Sequence, residues 1–225
     1  MANRIFWASD STVKHNRIIS YPQTGIGQVM NLYLKPEVQI YNHAENGRST
    51  KSFINEKRLD EINALIGEKD YLFIQFGHND QKEDVERHTE PFGDYQENLT
   101  KYIMTAKEHG AYPVLITPVY RRHFIDGTLV ENVHMEYPKA MIELGEKMGV
   151  PVIDLCEKSR VLLERTGDAD SIPWFMHLKE NEFKNYPKGL EDNTHLRYEG
   201  AVAMAELLAE GLRELGGIYS DLLLI

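Results

Sequence analysis

Tyr71-Leu72-Phe73-Ile74-Gln75-Phe76 is the stretch that narrows the fold most. Apolar side chains on successive residues leave neither face of a strand for water, so such a strand has to be covered on both sides. That is the position of a central strand in a parallel sheet with helices above and below it. The rest of the chain repeats the unit. Apolar runs at 5–8, 38–42, 112–117 and 150–154 read as further strands. Helical spacing separates or follows them at 26–34, 59–66, 95–110, 135–148, 155–166 and 201–215. Five strands alternating with helices predict an α/β protein with a five-stranded parallel sheet. Asp126-Gly127 suits a small hairpin within 120–133. Between Asp168 and Asp192 the periodicity fails, and the stretch reads as a long functional loop or an unrecognised helix. The 225 residues contain no repeat, low-complexity tract or linker-like shift in composition, so one domain spanning 1–225 is expected.

Right-handed crossovers bring the carboxyl ends of parallel strands to one rim of the sheet, where loops part and ligands bind. Three polar turns should share that rim. The first is Ser9-Asp10-Ser11-Thr12, the second surrounds Gly47, and the third is Gly77-His78-Asn79-Asp80. Far along the chain, Asp192-Asn193-Thr194-His195 precedes the last amphipathic helix, with an acid and a histidine three residues apart. At the start of a helix that spacing lets the carboxylate hold the imidazole. Ser11, His195 and Asp192 are therefore the candidate nucleophile, base and acid. The N–H groups of Ser11 and Gly47 and the amide of Asn79 are candidate donors to an oxyanion. Each has a plainer reading: Ser11 as a cap, Asp192 as the N-cap of the last helix, Gly47 and Asn79 as turn residues. Asp10 reads as an acceptor that holds its loop.

Taken together and in order, these blocks resemble those of the SGNH (GDSL-type) hydrolases. Asp10-Ser11-Thr12-Val13, Asn46-Gly47-Arg48-Ser49, Phe76-Gly77-His78-Asn79-Asp80, Thr117-Pro118-Val119-Tyr120-Arg121-Arg122 and Glu191-Asp192-Asn193-Thr194-His195 resemble the rhamnogalacturonan acetylesterase branch. The resemblance implies a flavodoxin-like three-layer αβα sandwich and a serine esterase. It also implies hydrolysis of acetyl esters on pectic sugars with no metal and no cofactor. One departure is Ser9, where the family has glycine; a Cβ there is expected to tilt the oxyanion donor if the backbone needs positive φ. Arg121 and Arg122 follow the fourth strand and suit the carboxylate of an acidic sugar. His78 and Trp174 are candidate cleft residues, with packing as the competing role.

The formal charge of -10 argues against a nucleic-acid partner, which needs a basic face. No stretch is long and apolar enough for a membrane span. The single cysteine, Cys156, forbids an internal disulfide and reads as a small buried side chain. With the first strand opening directly after Met1-Ala2-Asn3-Arg4, a cytoplasmic setting is expected. Rival readings remain. Gly77-His78-Asn79-Asp80 superficially resembles the metallophosphoesterase block, but the order of His and Asn is reversed and the other ligand motifs are missing. A phosphate cradle at Ser9-Asp10-Ser11-Thr12, a non-catalytic sugar-binding SGNH protein, and a lipid- or thioester-directed hydrolase are the others.

Overall fold

A computed structural model describes residues 3–224. Its strands are β1 (Arg4–Ser9), β2 (Gln39–Asn42), β3 (Tyr71–Gln75), β4 (Tyr112–Ile116), β5 (Phe124–Ile125), β6 (Thr128–Leu129), β7 (Val152–Ile153), β8 (Phe175–Leu178) and β9 (Leu190–Leu196). The α-helices are α1 (Ile26–Val29), α2 (Thr50–Asn55), α3 (Arg58–Asn63), α4 (Gln96–Glu108), α5 (Tyr137–Met148), α6 (Leu155–Thr166), α7 (Asp168–Ser171), α8 (Tyr198–Leu215) and α9 (Gly217–Ser220).

Five strands pair in parallel in the order β2-β1-β3-β4-β7, the flavodoxin-like arrangement. Alternation along each strand feeds two cores. Ile5 and Trp7, Tyr71 and Phe73, and Val114 and Ile116 face one side, against α1, α6 and α8. Phe6 and Ala8, Leu72 and Ile74, and Leu115 face the other, against α2 to α5. The result is the three-layer αβα sandwich that the uninterrupted apolar strands called for. The order of strands reverses between β1 and β3, so the crevice opens where the turns carrying Ser11 and Asn79 leave the sheet. No helix among the described residues is long and apolar enough to cross a membrane.

The structure corrects several local expectations. The helix expected over 26–34 is only α1 followed by a 3-10 turn, Met30–Leu32. Its apolar spacing serves packing instead, because Val29, Met30 and Leu34 are buried. The stretch after Asp168 is not a loop: it forms α7, a 3-10 turn (Ile172–Trp174) and the antiparallel hairpin β8–β9. The hairpin expected at Asp126-Gly127 is present as β5–β6. In the apolar run Leu222-Leu223-Leu224-Ile225, which the sequence leaves free to cover either core or a partner, Leu222 and Leu223 cover core and Leu224 is half exposed, while Ile225 lies outside the described residues.

Candidate active site

Ser11 follows β1 in a turn held by Asp10. The Asp10 carboxylate accepts from the Thr12 N–H at 2.9 Å and the Thr12 hydroxyl at 2.7 Å. Its second oxygen faces the Asn79 amide at 3.4 Å. Asp10 is thus the loop-holding acceptor expected from the sequence, and burial pushes its carboxyl up. Ser9 ends β1 in register with Gln75 and its φ is not positive. Its hydroxyl donates to the Gln75 carbonyl at 2.7 Å, so the Cβ finds room and a partner, and the expected tilt has no backbone cause.

The acid–histidine pair is not at the start of a helix, contrary to expectation. It stands on β9, where pairing with β8 jumps: Phe175 opposes Leu196, whereas the next residue, Met176, opposes Asp192. Asn193, Thr194 and His195 bulge out between them, and such bulges re-aim side chains. The Asp192 carboxylate folds the bulge by accepting from the N–H groups of Thr194 (2.7 Å) and His195 (3.0 Å). Its other oxygen meets His195 Nδ1 at 2.6 Å, and His195 Nε2 lies 2.8 Å from Ser11 Oγ. Residue 197, not Asp192, occupies the N-cap of α8.

Burial works to lower the His195 pKa, but the hydrogen bond and charge of Asp192 outweigh it and hold the imidazole above its usual 6.5. The Asp192 carboxyl is desolvated, yet bonding to His195 brings it down to about 2. The pair is therefore charged or neutral according to the histidine alone throughout the neutral range.

Gly47 stands in a turn at φ 74°, the left-handed region that glycine tolerates. The turn is drawn to the rim by backbone bonds that continue β2 along β1, from the N–H groups of His43 to Trp7 and of Glu45 to Ser9. The N–H groups of Ser11 and Gly47 donate to no carbonyl among the described residues, which leaves both donors uncommitted. Gly77 turns the chain out of β3 at φ 141°, where a Cβ would come within 2.8 Å of Pro118. Two residues on, the Asn79 amide donates to the Arg48 carbonyl at 3.1 Å, which ties the second and third turns together.

The structure separates the remaining candidates. Arg122 does not reach a cleft: it is 5% exposed. Its guanidinium bonds Ser171 Oγ (3.0 Å), Asn193 Oδ1 (3.1 Å) and the Asp168 carbonyl (2.6 Å), and it pairs with the Asp168 carboxylate. Its backbone N–H donates to the Asn193 carbonyl at 2.9 Å. The expectation of a substrate contact is therefore replaced by a fastener of the bulge, because Ser171, Asn193 and the carbonyl and carboxylate of Asp168 consume its donors. Arg121 is half-buried beside the third turn, its Nη2 donating to the His78 carbonyl at 3.1 Å. His78 is buried edge-on to His134, with ring centroids 4.6 Å apart, and burial drives its pKa well below 6.5. Trp174 is half-buried against the core beneath α8 and makes no bond to Ser11, His195 or Asp192. Cys156 is buried at the start of α6, and burial pushes its thiol up to about 12. Sequence reasoning did not anticipate the pairing of Asn193 with His177, whose side chains meet at 2.7 Å and steady the bulge. Neither carries a local signal, since their partners lie 16 and 71 residues away.

A doubly wound α/β sheet with a hydrogen-bonded Ser–His–Asp row at its switch point has the architecture of a hydrolase that uses a hydroxyl. Residues 20–203 match the GDSL-like Lipase/Acylhydrolase family. The chain belongs to that family, and it is a carboxylic ester hydrolase. It is 45% identical over 213 residues to rhamnogalacturonan acetylesterase RhgT of Bacillus subtilis (strain 168), covering 95% of this chain and 90% of that one. Among solved structures it resembles protein YXIM of Bacillus subtilis (25% identity, TM-score 0.80), covering 96% of this chain and 57% of that one. It also resembles Axe2, an acetylxylan esterase from Geobacillus stearothermophilus, at 16% identity, TM-score 0.61, and 96% and 95% coverage. The Axe2 likeness is one of fold.

Proposed function

We propose that the protein is a serine esterase that removes acetyl groups from acetylated carbohydrate of the rhamnogalacturonan type. The observation that carries this reading is the unbroken row Ser11 Oγ–His195 Nε2 (2.8 Å) and His195 Nδ1–Asp192 (2.6 Å). The substrate class is supported by the 45% identity to RhgT across nearly the whole chain.

In this mechanism neutral His195 takes the Ser11 proton as the oxygen attacks the acetyl carbonyl. Asp192 fixes the tautomer with the proton on Nδ1 and stabilises the imidazolium that forms. The developing oxyanion accepts from the Ser11 and Gly47 N–H groups and from the Asn79 amide, which gives up its long 3.4 Å contact with Asp10 to do so, each contributing about 3 kcal/mol to lowering the barrier. The imidazolium returns its proton to the sugar oxygen, which leaves as the alcohol. Water, deprotonated by His195, then attacks the acetyl-enzyme and releases acetate. No step calls for a metal ion or organic cofactor.

Acetate release from acetylated rhamnogalacturonan oligosaccharides, alongside hydrolysis of p-nitrophenyl acetate, tests the proposal. Ser11→Ala should lower kcat for both by about 10⁴-fold or more. A serine-directed phosphonate should add its mass to the peptide carrying Ser11. Turnover that survives Ser11→Ala rejects the mechanism; turnover of the aryl ester but of no acetylated sugar rejects the substrate class.

A further inference from the structure

The adjacent arginines after β4 divide their work. Arg122 is consumed by the bulge, as described above. Arg121 is held by neutral groups: Nη2 donates to the His78 carbonyl at 3.1 Å, and both terminal nitrogens reach the Gln81 side-chain oxygen at 2.8 Å. Its Nε is buried with no acceptor. Among the described residues no carboxylate approaches within ion-pair distance, whereas the other guanidinium groups near this rim, Arg48 and Arg87, are paired with Glu56 and Asp84.

The position is fixed from both sides. His78 immediately precedes Asn79, and the backbone of Arg122 is bonded to Asn193, inside the bulge that carries His195. Arg121 therefore stands between the segment bearing an oxyanion donor and the segment bearing the base. The acids whose charge reaches it are Asp10 and Asp192. Both carboxylates are already engaged, the first by Thr12 and the second by His195 and Thr194. Burial pulls the Arg121 guanidinium below its ordinary value in spite of those two charges. A partly desolvated cation without a counter-ion is unfavourable unless something arrives to pair with it. Two fixed acids beside the nucleophile would also repel an anionic substrate unless a local cation offset them.

We propose that Arg121 receives the carboxylate of a uronate residue in the substrate, so that this site selects acetyl esters on acidic oligosaccharides over otherwise identical neutral ones. The proposal rests on the esterase reading above and names the substrate group that the site discriminates. Guanidinium matches a carboxylate in planar, charge-assisted bonds, which a sugar hydroxyl cannot replace.

The experiment compares an acetylated galacturonate-containing oligosaccharide with its carboxyl-reduced counterpart, and reads the ratio of their kcat/KM values. Wild-type protein should favour the acidic form by about 10- to 100-fold, the range of one well-made charged contact. Arg121→Gln should bring the ratio close to one, and Arg121→Lys should retain part of it. A wild-type ratio near one overturns the proposal without any variant. So does a ratio that Arg121→Gln leaves unchanged while both rates fall, which is the result expected if Arg121 only tunes His195 or holds the His78 turn. Failure of the esterase reading shows separately, as absence of p-nitrophenyl acetate turnover by wild-type protein.

Discussion

At the scale of single residues, the proposed mechanism makes His195 the group that sets the pH dependence. In that mechanism its neutral form is the base, so activity should climb as the imidazole loses its proton. Because Asp192 holds that pKa above 6.5 against the effect of burial, the midpoint of the kcat/KM profile should lie above 6.5. Asp192→Asn removes the charge that raises it, and the midpoint should fall. The same change should lower kcat by about 10⁴-fold, since an amide no longer enforces the working tautomer. A pH–rate profile of both proteins checks the two statements together. Ser9 gives a different kind of prediction. Its hydroxyl satisfies the Gln75 carbonyl in the sheet interior, so Ser9→Gly should lose about 1 kcal/mol of stability. A urea titration measures that loss, and no gain in esterase rate should accompany it. That Ser11, Asp192 and His195 are candidates for one site was readable from residue type and spacing, and their side chains do meet. The inward turn of Arg122 was not, because nothing in Arg121-Arg122 distinguishes one guanidinium from the next until Asp168, Ser171 and Asn193 are folded around it.

At the scale of elements, the β8–β9 hairpin decides whether His195 reaches Ser11. Three residues bulge from β9, and the side chains that hold them come from β8, α7 and the loop after β4. Arg122→Met should therefore lower kcat by about 10- to 100-fold with a much smaller change in KM, as a base displaced by about 1 Å would. Steady-state kinetics, together with the rate at which a phosphonate captures Ser11, measures it; equal damage to KM would point to a disturbed binding surface instead. Long elements such as α8 were legible, because a helix of 18 residues prints its periodicity locally. The hairpin was not. Its strands carry charges and aromatic residues without a period, and Asp192–His195 looked like a helix start because its spacing is common to a cap and a folded bulge.

At the scale of the whole molecule, the sheet lies between two cores that share its strands. Ile103, on the buried face of α4, lies in one and Trp7 in the other. If the chain is one domain, Ile103→Ala should lower stability by about 2–5 kcal/mol. The loss should register equally in tryptophan fluorescence and in far-UV circular dichroism during urea unfolding. Separate transitions would show that the two faces unfold independently. Strand alternation and the apolar strength of 71–76 follow from the chain alone, because burial on both faces dictates composition residue by residue. So does the chemical type of the site, since a hydroxyl, an imidazole and a carboxylate at turns are visible in any notation. What tertiary structure decided is which of these groups meet. Ser11 and His195 are 184 residues apart, and their contact depends on strand order and on a bulge whose supports are themselves distant in sequence. Periodicity reports the environment of a residue, whereas the identity of its neighbour is fixed only when the whole chain has packed.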